Sequence, residues 1–189
     1  MNAKSANTNN YGPAKLRVLE AARTLFAEHG VAGTSLQMIA DSLGVTKAAV
    51  YHQYKAKEDI VYAVGEQVNF ALQTMTDAAL QESSIAKQRQ SLLNQMIRLA
   101  VASREISGAL QHDPQFLRLF KEKKPFKKVM DRLNEVLIGD NPTPNAKVTV
   151  AAIVTAIAGA VMHPICEDVD DEVLIEQLEK TVKNMLKLI

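Results

Sequence analysis

Residues 36–54 read Leu36-Gln-Met-Ile-Ala-Asp-Ser-Leu-Gly-Val-Thr-Lys-Ala-Ala-Val-Tyr-His-Gln-Tyr54. The spacing is that of two short helices crossing over a tight turn. Such pairs meet at about 90–120°, commonly with a glycine in the turn. Gly44 stands there and takes φ > 0 at little steric cost. Ala40 is small where the second helix must approach the first, and Ile39, Leu43, Val45 and Val50 are placed to form the small core between them. Just upstream, Thr34-Ser35-Leu36-Gln37 has the pattern of a capping box, with Thr34 as N-cap and Gln37 three residues on. Thr46 is placed to cap the second helix.

The outward face of that second helix has its own chemistry. At about 100° per residue, Lys47, Ala48, Tyr51 and His52 share one side, while Ala49, Val50 and Gln53 turn away. No carboxylate interrupts that side, and Lys55 and Lys57 follow it. A recognition helix in a major groove reads base edges with its first residues and meets phosphates with its flanks. Thr46, Lys47 and Ala48 are therefore expected at bases, Ala48 against a thymine methyl. Tyr51, His52, Lys55 and Lys57 are expected at backbone oxygens. Thr34, Ser35 and Gln37, at the start of the preceding helix, are expected to bind a phosphate through backbone N–H groups. The alternative is a helical hairpin with a solvated basic face.

Outward from this motif the pattern stays helical. Polar residues 1–12 are expected to be a disordered tail. Pro13 opens a helix whose face carries Leu16, Leu19, Ala22 and Phe26, and Gly30 closes it. Beyond the motif, helices are expected at about 57–80, 85–110, 114–121, 125–138, 146–162 and 171–188. A turn cluster, Asp140-Asn-Pro-Thr-Pro144, separates two of them, and Pro164 closes another. No stretch alternates with period two. The expectation is an all-α chain of about nine helices, with a DNA-binding domain at 13–56 and a larger helical domain at 57–189.

Charge is distributed unevenly over the 189 residues, whose net charge is +1. Residues 1–57 hold seven Lys/Arg against three acids, and 167–189 hold three against seven. A polyanion is thus expected to meet the N-terminal part alone. The single cysteine, Cys166, fits a reducing cytosol, and Met1–Pro13 has no secretory-signal pattern. The apolar run Val148–Met162, about 15 residues, is shorter than the roughly 20 of a bilayer span. A cytoplasmic protein with no membrane partner is the expectation.

Phe26, Gly30, Thr34, Ile39, Ala40, Gly44, Val45, Tyr51, Tyr54, Lys57 and Glu58 resemble the N-terminal signature of the TetR family of bacterial transcriptional regulators. In that family the recognition helix typically runs into Tyr-x-His-Phe-x-x-Lys-Glu. Here the phrase is Tyr51-His52-Gln53-Tyr54-Lys55-Ala56-Lys57-Glu58, with Gln53 for the usual His and Tyr54 for the usual Phe. The resemblance covers about residues 14–63. It implies a homodimer on a palindromic double-stranded DNA operator, and usually repression relieved by a small molecule held in a C-terminal pocket. A regulator that needs no effector, acting constitutively or through a protein partner, is the alternative.

Val148–Met162 has no charged residue, and its Ala151, Ala152, Ala156, Ala158, Gly159 and Ala160 allow a close helix partner. The resemblance implies that the last two helices pair across a twofold axis through Ala151, Thr155, Ala158, Gly159 and Met162, with Leu174, Leu178 and Val182. Packing only within one subunit is the other reading. A mostly apolar effector site is expected from Met75, Ile97, Val101, Phe116, Met130 and Val154, with Arg104 or His112 as polar anchor. That lining suits a hydrophobic or amphipathic molecule. Lys121–Lys128, five lysines against one acid, reads as a solvated loop. His163, Cys166 and Glu167 do not make a closed metal set, and no cofactor is called for. No phosphate loop, nucleophile elbow or His-Glu-x-x-His motif is present, so no enzyme activity is expected.

Overall fold

The computed structural model describes residues 11–104, 114, 124–140 and 142–188. Eight α-helices lie among them: α1 Pro13–Gly33, α2 Leu36–Leu43, α3 Lys47–Gln53, α4 Lys57–Ala79, α5 Ile85–Ala102, α6 Lys124–Ile138, α7 Pro144–Met162 and α8 Asp171–Met185. Single 3-10 turns follow α7 and α8. No strand occurs among the described residues, and the protein is all-α. Apart from Pro114, which is helical, the expected helix at 114–121 and the last residues of the one expected at 85–110 lie outside the described residues.

Local chemistry accounts for most of the boundaries. Pro13 sits in the first turn of α1, where its missing N–H costs nothing. Gly30, at φ 71°, ends the regular part of α1 with a kink. Gly44, at φ 64°, closes α2, and its N–H and that of Val45 bond to the Asp41 and Ala40 carbonyls at 3.1 and 3.0 Å. Side-chain oxygens of Ser35, Thr46, Ser84, Thr143 and Asp170 cap α2, α3, α5, α7 and α8. α5 stops at Ala102, and Arg104 is again helical. Ser103 leaves helical geometry, and its hydroxyl donates back to the Leu99 carbonyl at 2.6 Å.

The described residues fall into two compact units, the first running to Ala71 and including 124–127, the second comprising Leu72–Arg104 and the chain from Lys128. The division falls inside α4 rather than at its start. In the first unit, Val18, Leu19, Ala22, Phe26 and Val31 of α1 pack with Ile39, Ala40, Val50, Tyr54, Ile60, Val61 and Val64. Phe26, Leu19, Ile39, Val50 and Ile60 are completely enclosed, each worth about 1.5–3 kcal/mol over an exposed side chain. In the second unit, Leu92, Leu93, Ile97 and Val101 of α5 pack with Leu133, Val136 and Leu137 of α6, Ile153 and Ile157 of α7, and α8. Arg98–Glu179 at 2.8 Å, Arg104–Asp171 at 3.0 Å and Arg132–Asp77 at 2.6 Å tie its rim.

α7 departs from expectation. Its inward face, Thr149, Val150, Ile153, Ile157 and Val161, is buried in the core, while Val148, Ala151, Ala152, Thr155, Ala156, Gly159 and Met162 form an exposed face. A helix apolar on all sides is therefore covered on only one side within the single chain. At 19 residues it is also long and apolar enough to cross a membrane by length and composition, a test that a core helix passes too.

Candidate nucleic-acid interface

α2 and α3 carry the candidate surface. Val50 is the one residue of α3 fully buried, and it anchors the helix on Ile39 and Ala40 of α2. Lys47, Ala48, Ala49, Tyr51 and His52 remain exposed. Thr46 accepts from the Ala49 N–H at 3.2 Å through its hydroxyl oxygen, which fixes the start of the helix. The Lys55 ammonium lies 4.9 Å from the centre of the Tyr51 ring, within cation–π reach. The two side chains thus stand together as one basic, aromatic edge. Gln53 Nε2 and His52 Nδ1 are 3.3 Å apart. Lys47, Ala48, Tyr51, His52 and Lys55 form an exposed surface without a carboxylate of their own.

Four details differ from the sequence expectation. Thr34 is 2% exposed, and its hydroxyl donates to the Gly30 and Leu25 carbonyls at 2.8 and 3.0 Å. It is an internal brace; the N-cap of α2 is Ser35, whose oxygen accepts from the Met38 N–H at 3.2 Å. Gln37 does not reach back to close a capping box but donates to Asp41 at 2.7 Å, one helical turn on. Lys57 is turned away from the exposed face, its ammonium donating to the Val31, Thr34 and Ala32 carbonyls at 2.7, 3.0 and 3.4 Å. Val45 is 39% exposed rather than part of the small core, because the left-handed turn at Gly44 points it outward. Ser35 and Gln37 do stand exposed at the start of α2.

Other parts of the first unit were not legible from spacing. Tyr11, expected in the disordered tail, donates its hydroxyl to Glu66 of α4 at 3.1 Å. Burial and the Glu66 carboxylate push its pKa up to about 12. Lys15 stands 5.6 Å from the centre of the Tyr54 ring. The Tyr54 hydroxyl is buried with no hydrogen-bond partner, and burial raises its pKa. Its ring fills the place where the family phrase has Phe, and the extra oxygen is left over.

The residues expected at an effector site divide. Met75, Ile97 and Val101 are buried in one apolar cluster of the second unit, with Val154 packed against it and Met130 half-buried on α6. His112 and Phe116 lie outside the described residues. Arg104 is engaged by Asp171 and, at 3.5 Å, by the Val169 carbonyl, so its charge already has partners. Of the residues expected at a dimer interface, Ala151, Thr155, Gly159 and Met162 are exposed on α7 and Ala158 is half-buried. Leu174, Leu178 and Val182 are buried in the core of their own unit instead. The outward side of α8 is mostly polar, with Glu176, Gln177, Lys180, Thr181 and Asn184 exposed beside Val173.

A capped eight-residue helix, a left-handed glycine turn and a short helix with an exposed basic face define a helix-turn-helix protein. Residues 18–64 match the family of bacterial regulatory proteins named tetR, and this part of the chain is similar to that family. It is 27% identical over 100 residues to the HTH-type transcriptional repressor AcnR of Corynebacterium diphtheriae, covering 52% of this chain and 51% of that one. It is 41% identical over 47 residues to the HTH-type transcriptional repressor KstR2 of Mycolicibacterium smegmatis, covering 25% and 23%. The chain thus spans about half the length, or less, of these curated relatives. Its fold is similar over 94% of the chain to the ketosteroid transcriptional regulator KstR2 of Mycobacterium tuberculosis, covering 95% of that chain, with TM-score 0.74 and 17% identity. These relatives are transcriptional regulators rather than enzymes.

Proposed function

We propose that this protein is a cytoplasmic transcriptional repressor that binds a palindromic double-stranded DNA operator as a homodimer. The exposed face of α3 carries the reading: Lys47, Ala48, Tyr51 and His52, with Lys55 against Tyr51, offer cations, an aromatic ring and a methyl group, and no carboxylate opposes them. Thr46, Lys47 and Ala48 at the start of α3 approach base edges. Tyr51, His52 and Lys55 meet phosphates, and Ser35 and Gln37 contribute from the start of α2. A second copy places the same helix one DNA turn away, and the exposed small-residue face of α7 is the surface for that pairing. A hydrophobic or amphipathic effector acts from the apolar cluster that holds Met75, Ile97 and Val101. α4 runs from the first unit into the second and supplies a covalent path for the signal. A second reading, repression without an effector, draws on the complete burial of Ile97 among its neighbours.

Selection of duplexes from a random-sequence pool tests the first reading. A palindrome should emerge whose affinity falls with Lys47→Ala and Tyr51→Ala, and Lys55→Ala should also flatten the salt dependence. Recovery of no preferred duplex, or wild-type affinity in all three variants, rejects it. A hydrophobic-compound screen for release of the selected duplex separates the two regulatory readings.

A further inference from the structure

We infer that Lys57 is a positioning residue for DNA reading, not a phosphate contact. Its ammonium ties the first turn of α4 to the turn between α1 and α2 and so sets where the start of α2 stands. The inference rests on the DNA-binding reading above. An ammonium has three N–H donors and no acceptor. Here they are directed at the carbonyls of Val31, Thr34 and Ala32, at 2.7, 3.0 and 3.4 Å. A phosphate oxygen can take a donor only by displacing one of these carbonyls. The carbonyls of a helix's last turn lack partners in their own helix, and a cation there is favoured by the helix dipole. Lys57 meets both needs at the end of α1.

The turn is braced from inside as well. Thr34 donates to the Leu25 and Gly30 carbonyls, just where Gly30 kinks the chain at φ 71°. At the other end of α1, Tyr11 bonds to Glu66 and Lys15 lies by Tyr54. α1 is therefore held to the first half of α4 at both ends. Ser35, the N-cap of α2, follows directly on the Thr34 carbonyl that Lys57 holds. Any shift of that carbonyl moves Ser35 and, with it, the start of α2. Recognition geometry tolerates about 0.5 Å, so loss of the tie costs selectivity while every phosphate-facing cation stays in place.

Two measurements test this. In the free wild-type protein, reductive methylation followed by mass spectrometry should modify Lys57 more slowly than Lys47 and Lys55. Adding the selected duplex should protect Lys47 and Lys55 and leave Lys57 unchanged. Equal reactivity in the free protein, with protection of Lys57 only on DNA, overturns the proposal, and this arm does not depend on a variant folding. In the second measurement, Lys57→Met should weaken binding to the selected duplex about tenfold with an unchanged salt slope and unchanged affinity for unselected duplex, and Lys57→Arg should recover most of the loss. A slope flatter by about 0.9 per lost contact, as expected for Lys55→Ala, marks a phosphate contact and overturns it. Unchanged affinity in a folded Lys57→Met overturns it too. If the wild type selects no duplex, the DNA-binding reading fails by itself, while methylation of the free protein still judges the tie.

Discussion

Gly159→Arg separates the chain's own fold from its pairing. Gly159 lies on the exposed face of α7, and a Cβ built there meets nothing within 4 Å. Within one chain the substitution has room, and replacing a glycine in a helix interior contributes about 0.5–1 kcal/mol of stability. In the proposed twofold pair the same face would oppose itself, so each copy would bring a guanidinium against Ala151, Thr155 and Met162 of the other with no carboxylate on the α7 face to meet it. Burying an unpaired charge costs about 3–5 kcal/mol, which weakens the dimer by roughly a hundredfold to a few thousandfold. Sedimentation equilibrium over a micromolar concentration series reads this directly. A dilute-sample melt should show that the monomer is no less stable than wild type. A dimer of unchanged affinity refutes the assignment of this face, whereas a destabilised monomer refutes the claim that the site is open.

Three further outcomes follow from particular side chains. Thr34→Val keeps the shape of a buried side chain but removes a hydroxyl that serves two carbonyls, and should cost about 1–2 kcal/mol in a denaturant melt. An unchanged melt with lost DNA affinity instead puts Thr34 on the DNA. Tyr54→Phe removes a buried hydroxyl without a partner, so thermal unfolding should be unchanged or raised by up to about 1 kcal/mol, and a clear loss contradicts that geometry. The raised Tyr11 pKa means that the folded protein holds the phenolic proton more tightly than the unfolded chain. Its contribution to stability is complete below pH 10, the ordinary value, and is lost as pH rises through about 12. Tyr11→Phe should remove that part of the alkaline loss, and identical pH profiles for the two proteins refute it.

Much of the candidate site was readable because its determinants are local. A helix start needs an oxygen within three residues, a left-handed turn needs a residue that tolerates φ > 0, and a face repeats every 3.6 residues. Gly44, Thr46, Val50 and the exposed group Lys47, Ala48, Tyr51 and His52 follow from such rules alone. Even here the capping rule left two neighbours open, since Thr34 and Ser35 are equally good caps by type. Only the carbonyls of Leu25 and Gly30, brought close by the kink, draw the Thr34 hydroxyl inward and leave the cap to Ser35.

The sequence by itself determined the helical class, the helix-turn-helix, the basic N-terminal part and the uncharged run of α7, because each depends on composition or on neighbours a few residues apart. The tertiary structure decided which way a given side chain turns. Lys57 reaches carbonyls 23 to 26 residues away, Tyr11 meets a carboxylate 55 residues away, and Arg98 pairs with Glu179 at a separation of 81. Leu174, Leu178 and Val182 show the same division. Their spacing marks one apolar stripe, yet a stripe fits its own core and a partner's surface equally well. The packing of α5 and α7 took that stripe into the core and left the small residues of α7 outside. Periodicity shows that a face must be covered; only the closed chain shows what covers it.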